Sequence, residues 1–160
     1  MMNLLPVLFV ILGICAANAK AEVCNYWLAR VDSNTEVDYE IEEENPKKIL
    51  EGINCLLRLE GNKSEGLFSG ATNFNVSEIF PPATVEICAL YYISYLFNSD
   101  WTHANGIALY RKNGEINSDK SVRKAFVSYR RWFKKVKQLG LNEARKQKLN
   151  PLAGSGISWY

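Results

Sequence analysis

Residues 118–140 read SDKSVRKAFVSYRRWFKKVKQLG, Ser118 to Gly140, and this stretch decides the fold. At about 100° per residue, Val122, Ala125, Phe126, Tyr129, Trp132, Phe133, Val136 and Leu139 fall inside an arc of roughly 140°. Arg123, Lys124, Arg130, Arg131, Lys134, Lys135 and Lys137 fill the opposite side. One apolar face and one basic face predict an amphipathic helix from about Ser118 to Leu139. Ser118 or Asp119 suits its N-cap, and Gly140 suits a left-handed stop.

Working outward, Asn45-Pro46 and Gly61 bound a second helix. Ile49, Leu50, Ile53, Leu56 and Leu57 share one face there, with Lys47, Glu51, Asn54 and Arg58 opposite. A third helix starts near Pro81-Pro82 and runs from Thr84 to Phe97, apolar and aromatic all round, as a helix in the middle of a bundle is. Its β-branched content also suits a buried strand, but the run is long for one. Cys24 to Val31 reads as a short first helix and Asn142 to Lys148 as a short last one, ended by Asn150-Pro151. Val37, Tyr39 and Ile41 alternate with acidic residues, which permits an edge strand or a wet loop. Asn62 to Asn75 reads as a loop. Ile107 to Tyr110, Asn113-Gly114 and Glu115-Ile116 suit a small hairpin, and Trp159-Tyr160 is expected to dock on the core. Val23-Cys24, Asn54-Cys55 and Ile87-Cys88 recur at spacings of 31 and 33, a faint helical repeat. The expected fold is mostly α: a compact bundle of stacked helical hairpins, five to six helices, with room for one short β-hairpin.

The N-terminus has a different composition. The first 19 residues carry no Lys, Arg, Asp or Glu, and Leu4 to Ile14 is apolar except for Pro6 and Gly13. That core is too short for a membrane anchor and fits a secretory signal, with Ala17-Asn18-Ala19 as an A-x-A cleavage pattern and Ala19-Lys20-Ala21 as its competitor. A lipoprotein would acylate Cys15, yet Ile14 stands where a small residue belongs. Residues 1–19 are therefore expected to be a signal peptide and 20–160 a single helical domain, exported to the periplasm or secreted. No other stretch reaches the 18 or more apolar residues of a span, so no stable membrane insertion of the mature chain is expected.

Net charge of +2 conceals a gradient. Glu22 to Glu65 holds 11 acidic and 5 basic residues, whereas Arg111 to Lys148 holds 13 basic and 3 acidic. The two halves either pair internally or offer a charged face to a partner. Cys24, Cys55 and Cys88 survive signal removal, and three thiols allow three single-disulfide pairings. Cys88 lies in the most apolar segment, where a cysteine behaves as a small hydrophobe, which leaves Cys24 to pair with Cys55.

Catalytic patterns are thin. His103 is the single histidine, no G-x-S-x-G elbow or paired C-x-x-C exists, and neither a metal site nor a cofactor is expected. Asp32 to Glu36 begins like a calcium loop but has Val37 where glycine is needed. Gly61 to Gly70 lacks the Gly-Lys-Ser/Thr ending of a phosphate loop. Glu40, Glu42, Glu43 and Glu44 supply carboxylates for glycan hydrolysis but no spacing that singles out a pair. Asn62-Lys63-Ser64 and Asn75-Val76-Ser77 match the glycosylation acceptor pattern, which matters only in a eukaryotic source. Tyr129 and Trp132 lie on the core face and not among the charges, so nucleic acid is not the expected partner.

The segments Leu90 to Phe97, Trp101 to Ala104 and Asn150 to Tyr160 resemble a group of small exported bacterial proteins to which no activity attaches. In format, a signal peptide followed by a compact helical domain without catalytic residues, the chain is similar to periplasmic immunity proteins that neutralise toxins from neighbouring bacteria. That similarity implies a binding protein and carries over no residue. The expected partner is a protein, a toxin in the leading case, met by Arg123, Lys124, Arg130, Arg131, Lys134 and Lys135. The alternative is an exported carboxylate-dependent hydrolase acting on cell-wall or glycan material, using the Glu40 to Glu44 cluster and His103.

Overall fold

The computed structural model describes residues 24–32, 45–66, 83–98, 107–111 and 116–159. The signal segment, the acidic link with Val37, Tyr39 and Ile41, the Glu40 to Glu44 cluster, Asn75, Asn113-Gly114, His103 and Tyr160 lie outside the described residues. Within them the chain is mostly helical, with one small antiparallel sheet. Helix α1 covers residues 24–29, α2 Pro46–Leu56, α3 Val85–Asn98, α4 Asp119–Leu139 and α5 Leu141–Lys146; strand β1 is Leu109–Arg111 and β2 Ile157–Trp159.

Each helix starts for a local reason. Asn45 Oδ1 accepts the amide of Lys47 and Pro46 occupies the first turn of α2, where a missing N–H costs nothing. Ser118 Oγ caps α4 at Ser121. Helix α3 is buried along most of its length, and the loop before it serves the amides at its start. Val85 N–H donates to Ser64 O (2.9 Å) and Glu86 N–H to Asn62 O (3.2 Å), so residues 62–66 wrap the free amides of the first turn. Gly66 makes that wrap possible, because a Cβ there would meet Cys88 Sγ at 2.4 Å.

The helix ends are closed by arginines from elsewhere. Arg145, on α5, donates from Nε and one terminal nitrogen to Phe97 O and Leu96 O, both at 2.7 Å, and so satisfies two of the last carbonyls of α3. Arg130, on α4, donates to Leu57 O (3.1 Å) at the end of α2 and ion-pairs with Glu60. Two helix C-termini, each negative by its dipole, thus face a guanidinium.

A disulfide joins Cys24 to Cys55, with Cα atoms 5.2 Å apart, and ties α1 to α2. Trp27 seats the same pair of helices: a Cβ on Gly52 would lie 2.5 Å from its indole. The close approach explains a glycine in the middle of a helix, where it costs about 0.5–1 kcal/mol relative to alanine. Cys88, outside the disulfide, is fully buried on α3.

The sheet differs from the expected local hairpin. The antiparallel contact between Tyr110 and Ile116 is present as one isolated bridge. The full ladder joins β1 to the tail, in register Leu109 with Trp159, Tyr110 with Ser158 and Arg111 with Ile157. Two glycines with positive φ, Gly154 (70°) and Gly156 (69°), turn the tail back towards β1. Trp159 then packs edge-on against Tyr91, as expected for an aromatic terminus. Its indole N–H donates to Tyr129 Oη (3.0 Å), which lies 2.5 Å from Ser94 Oγ, itself a donor to Leu90 O. A hydrogen-bonded chain therefore runs from the tail through α4 into the backbone of α3.

Two further boundaries need correction. Leu139, assigned to the core face of α4, is 42% exposed: it sits at the margin of the apolar arc and in the last position of the helix. Helix α5 spans Leu141–Lys146 where Asn142 to Lys148 was expected, because Gln147 and Lys148 turn out of it, Lys148 with φ 51°.

Candidate functional site

Helix α4 is the longest element and the most polarised. Its core side, Val122, Ala125, Phe126, Tyr129, Trp132, Phe133 and Val136, is buried. Phe97 meets the Trp132 indole edge-on, with ring centroids 4.8 Å apart, and the Trp132 N–H donates to Leu149 O (3.3 Å). Packing on α3 and the tail therefore fixes the roll of α4 about its axis, and that roll turns the basic side outward.

All six predicted contact residues are exposed, but they are not equivalent. Lys124, Arg131, Lys134 and Lys135 take part in no ion pair among the described residues. Arg123 stands one helical turn from Asp119, whose carboxyl is held in the charged form by Lys63 and, to a lesser degree, by Arg123. Arg130 is committed to Leu57 O and Glu60 and lies 5.6 Å from the Phe126 ring, so it fastens α4 to α2 and forms the edge of the face. Lys137, which the sequence puts on the same side, stacks over Phe133 at 5.0 Å. At the middle of this cationic surface stands Val127, 53% exposed.

The like charges are costly as arranged. Lys120 and Lys124, Arg130 and Lys134, and Arg131 and Lys135 are each spaced i,i+4, where equal charges oppose the helix by about 0.2–0.5 kcal/mol per pair. The dipole compensates only near the C-terminus. The surface is a convex ridge of positive charge on a helix, suited to attracting an anion.

A second charged cluster went unread in the sequence. Glu86, in the first turn of α3, is only 2% exposed; its Oε2 accepts Gly61 N–H (2.7 Å) and its Oε1 accepts the Lys63 ammonium. Lys63 also donates to Asp119 Oδ1 (2.6 Å) at the start of α4. The hydrogen bond to Asp119, then that to Glu86, raises the pKa of Lys63, and the same contact with Lys63 lowers that of Asp119. Both Glu86 oxygens are occupied and the ammonium stands between the two carboxylates, so the cluster joins the starts of α3 and α4. The signal that could have located it is a glutamate in the first turn of an otherwise apolar helix, which requires a partner.

Two buried phenols among the described residues belong to the core. Burial raises the pKa of the Tyr129 and Tyr92 phenols above the ordinary value, and both are neutral members of the core. No group of three His, Cys, Asp or Glu side chains among the described residues is placed to hold a metal ion. None of the helices described is long and apolar enough to cross a membrane. The chain matches no protein-family model, no curated protein and no solved structure.

Proposed function

We propose that this chain is an exported helical binding protein of the immunity or inhibitor type, periplasmic or secreted, that meets an acidic protein partner through the basic face of α4. One observation carries the proposal: Lys124, Arg131, Lys134 and Lys135 are exposed, without ion pairs among the described residues, on a helix whose roll is fixed by its buried side. Such a face steers a negatively charged partner and gains most in association rate. Export is supported by the uncharged apolar N-terminus with its A-x-A pattern and by the disulfide, which oxidising compartments sustain. The leading partner is a toxin whose active site the domain occludes.

A pull-down with the mature protein from envelope and secreted fractions of its native host tests the proposal. A single acidic protein recovered at low salt by the wild type, and lost with the double variant R131E and K134E, is the expected result. Equal recovery by the variant, or no specific protein at low or moderate salt, overturns it.

A further inference from the structure

Val127 is the one large apolar side chain exposed on α4 away from the end of the helix. An isolated surface valine is ordinary. This one has cations at all four neighbouring positions of the helix surface, Arg123, Lys124, Arg130 and Arg131. A β-branched residue is also a poor choice at an exposed helical position, where an unbranched side chain loses less rotamer freedom. Apolar centre and charged rim together match the anatomy of a protein contact, in which a small desolvated core is enclosed by polar residues. Arg130 is already committed to Glu60, so the cations open to a partner flank Val127 on the Lys124 and Arg131 side.

We propose that Val127 is the apolar anchor of this face, and that the matching partner segment is an acidic one carrying a single apolar side chain among its carboxylates. The inference rests on the acidic-partner reading above and adds the chemistry of the contact. Charge complementarity selects the carboxylates, since Lys124, Arg131, Lys134 and Lys135 have no ion pair among the described residues. Exposure of Val127 at the summit of a convex helix selects a single apolar side chain flanked by acidic ones and leaves no place for an extended greasy strip.

Two synthetic helical peptides rich in glutamate, equal in charge and differing only in leucine or serine at the centre of the acidic face, form the test. Titration of the mature protein at low salt is expected to show the leucine peptide binding about five- to tenfold more tightly, the span open to one partly buried valine contact. V127S is expected to abolish that preference while leaving the serine peptide unchanged, with circular dichroism showing α4 intact. R131E with K134E is expected to weaken both peptides. Equal binding of the two peptides, a preference that survives V127S, or binding to phosphatidylglycerol vesicles with neither peptide bound each overturns the proposal. A host pull-down without a partner would instead remove the exported-inhibitor reading and leave the peptide preference standing, so the two failures are distinguishable.

Discussion

Single side chains do several kinds of work here that exposure alone does not reveal. Arg130 and Arg131 are neighbours in sequence with the same charge, yet one is bound to α2 and the other is open to solvent. Substituting Arg130 with methionine is expected to cost about 1–2 kcal/mol in chemical denaturation, since Leu57 O loses its charged donor; the same change at Arg131 is expected to alter stability by less than about 0.5 kcal/mol. Gly52 is a sharper case. Alanine there should gain helix propensity, but its methyl would enter the Trp27 indole, so G52A is expected to lower stability by about 1–3 kcal/mol, measurable as a reduced urea midpoint. Neither effect was legible in the sequence. Periodicity assigns a residue to a face, whereas the partner of Arg130 lies 73 positions away and the neighbour of Gly52 belongs to another helix.

At the scale of elements, what was legible was what local physics dictates. The α4 stretch declares itself through period and caps, and the structure returns the helix with Ser118 capping as expected. Gly140 stops it with φ 83° and ψ 154°, an extended positive-φ conformation and not the left-handed helical one. Apolar residues all round α3 correctly signalled burial. The pairing of β1 goes beyond the local partner that Asn-Gly favours: Tyr110 keeps its bridge to Ile116 on one side, while the tail, fixed by Trp159 and by Gly154 and Gly156, pairs along the other. Helix ends show the same dependence on distant residues. Replacing Arg145 with alanine strips Leu96 O and Phe97 O of their donors and is expected to cost about 2–3 kcal/mol, with faster amide exchange in the last turn of α3 as the local readout.

The whole molecule combines these fastenings with titrating groups at both ends of the pH scale. Asp119 has a lowered folded pKa, so its contribution is present above about pH 4 and is lost as pH falls through the folded value. Lys63, Tyr91, Tyr92 and Tyr129 have raised ones, so theirs are complete below about pH 10 and are lost as pH rises further. Thermal melts are therefore expected to show a plateau between these limits and a fall on the alkaline side; Tyr129→Phe is expected to shallow that fall. The disulfide closes a separation of 31 residues, and its removal by C24S with C55S is expected to cost about 3–4 kcal/mol. These interactions hold α4 with its buried side inward and four cations outward that have no ion pair among the described residues, and the proposed activity belongs to that outward side.

Association kinetics of the mature protein with its captured acidic partner, followed across ionic strength, test this most directly. A steered encounter requires the association rate to fall at least tenfold between roughly 20 mM and 300 mM salt, with little change in dissociation, and R131E with K134E to remove most of that dependence. An association rate that ignores both salt and the charge reversal would contradict a binding role for the basic face of α4.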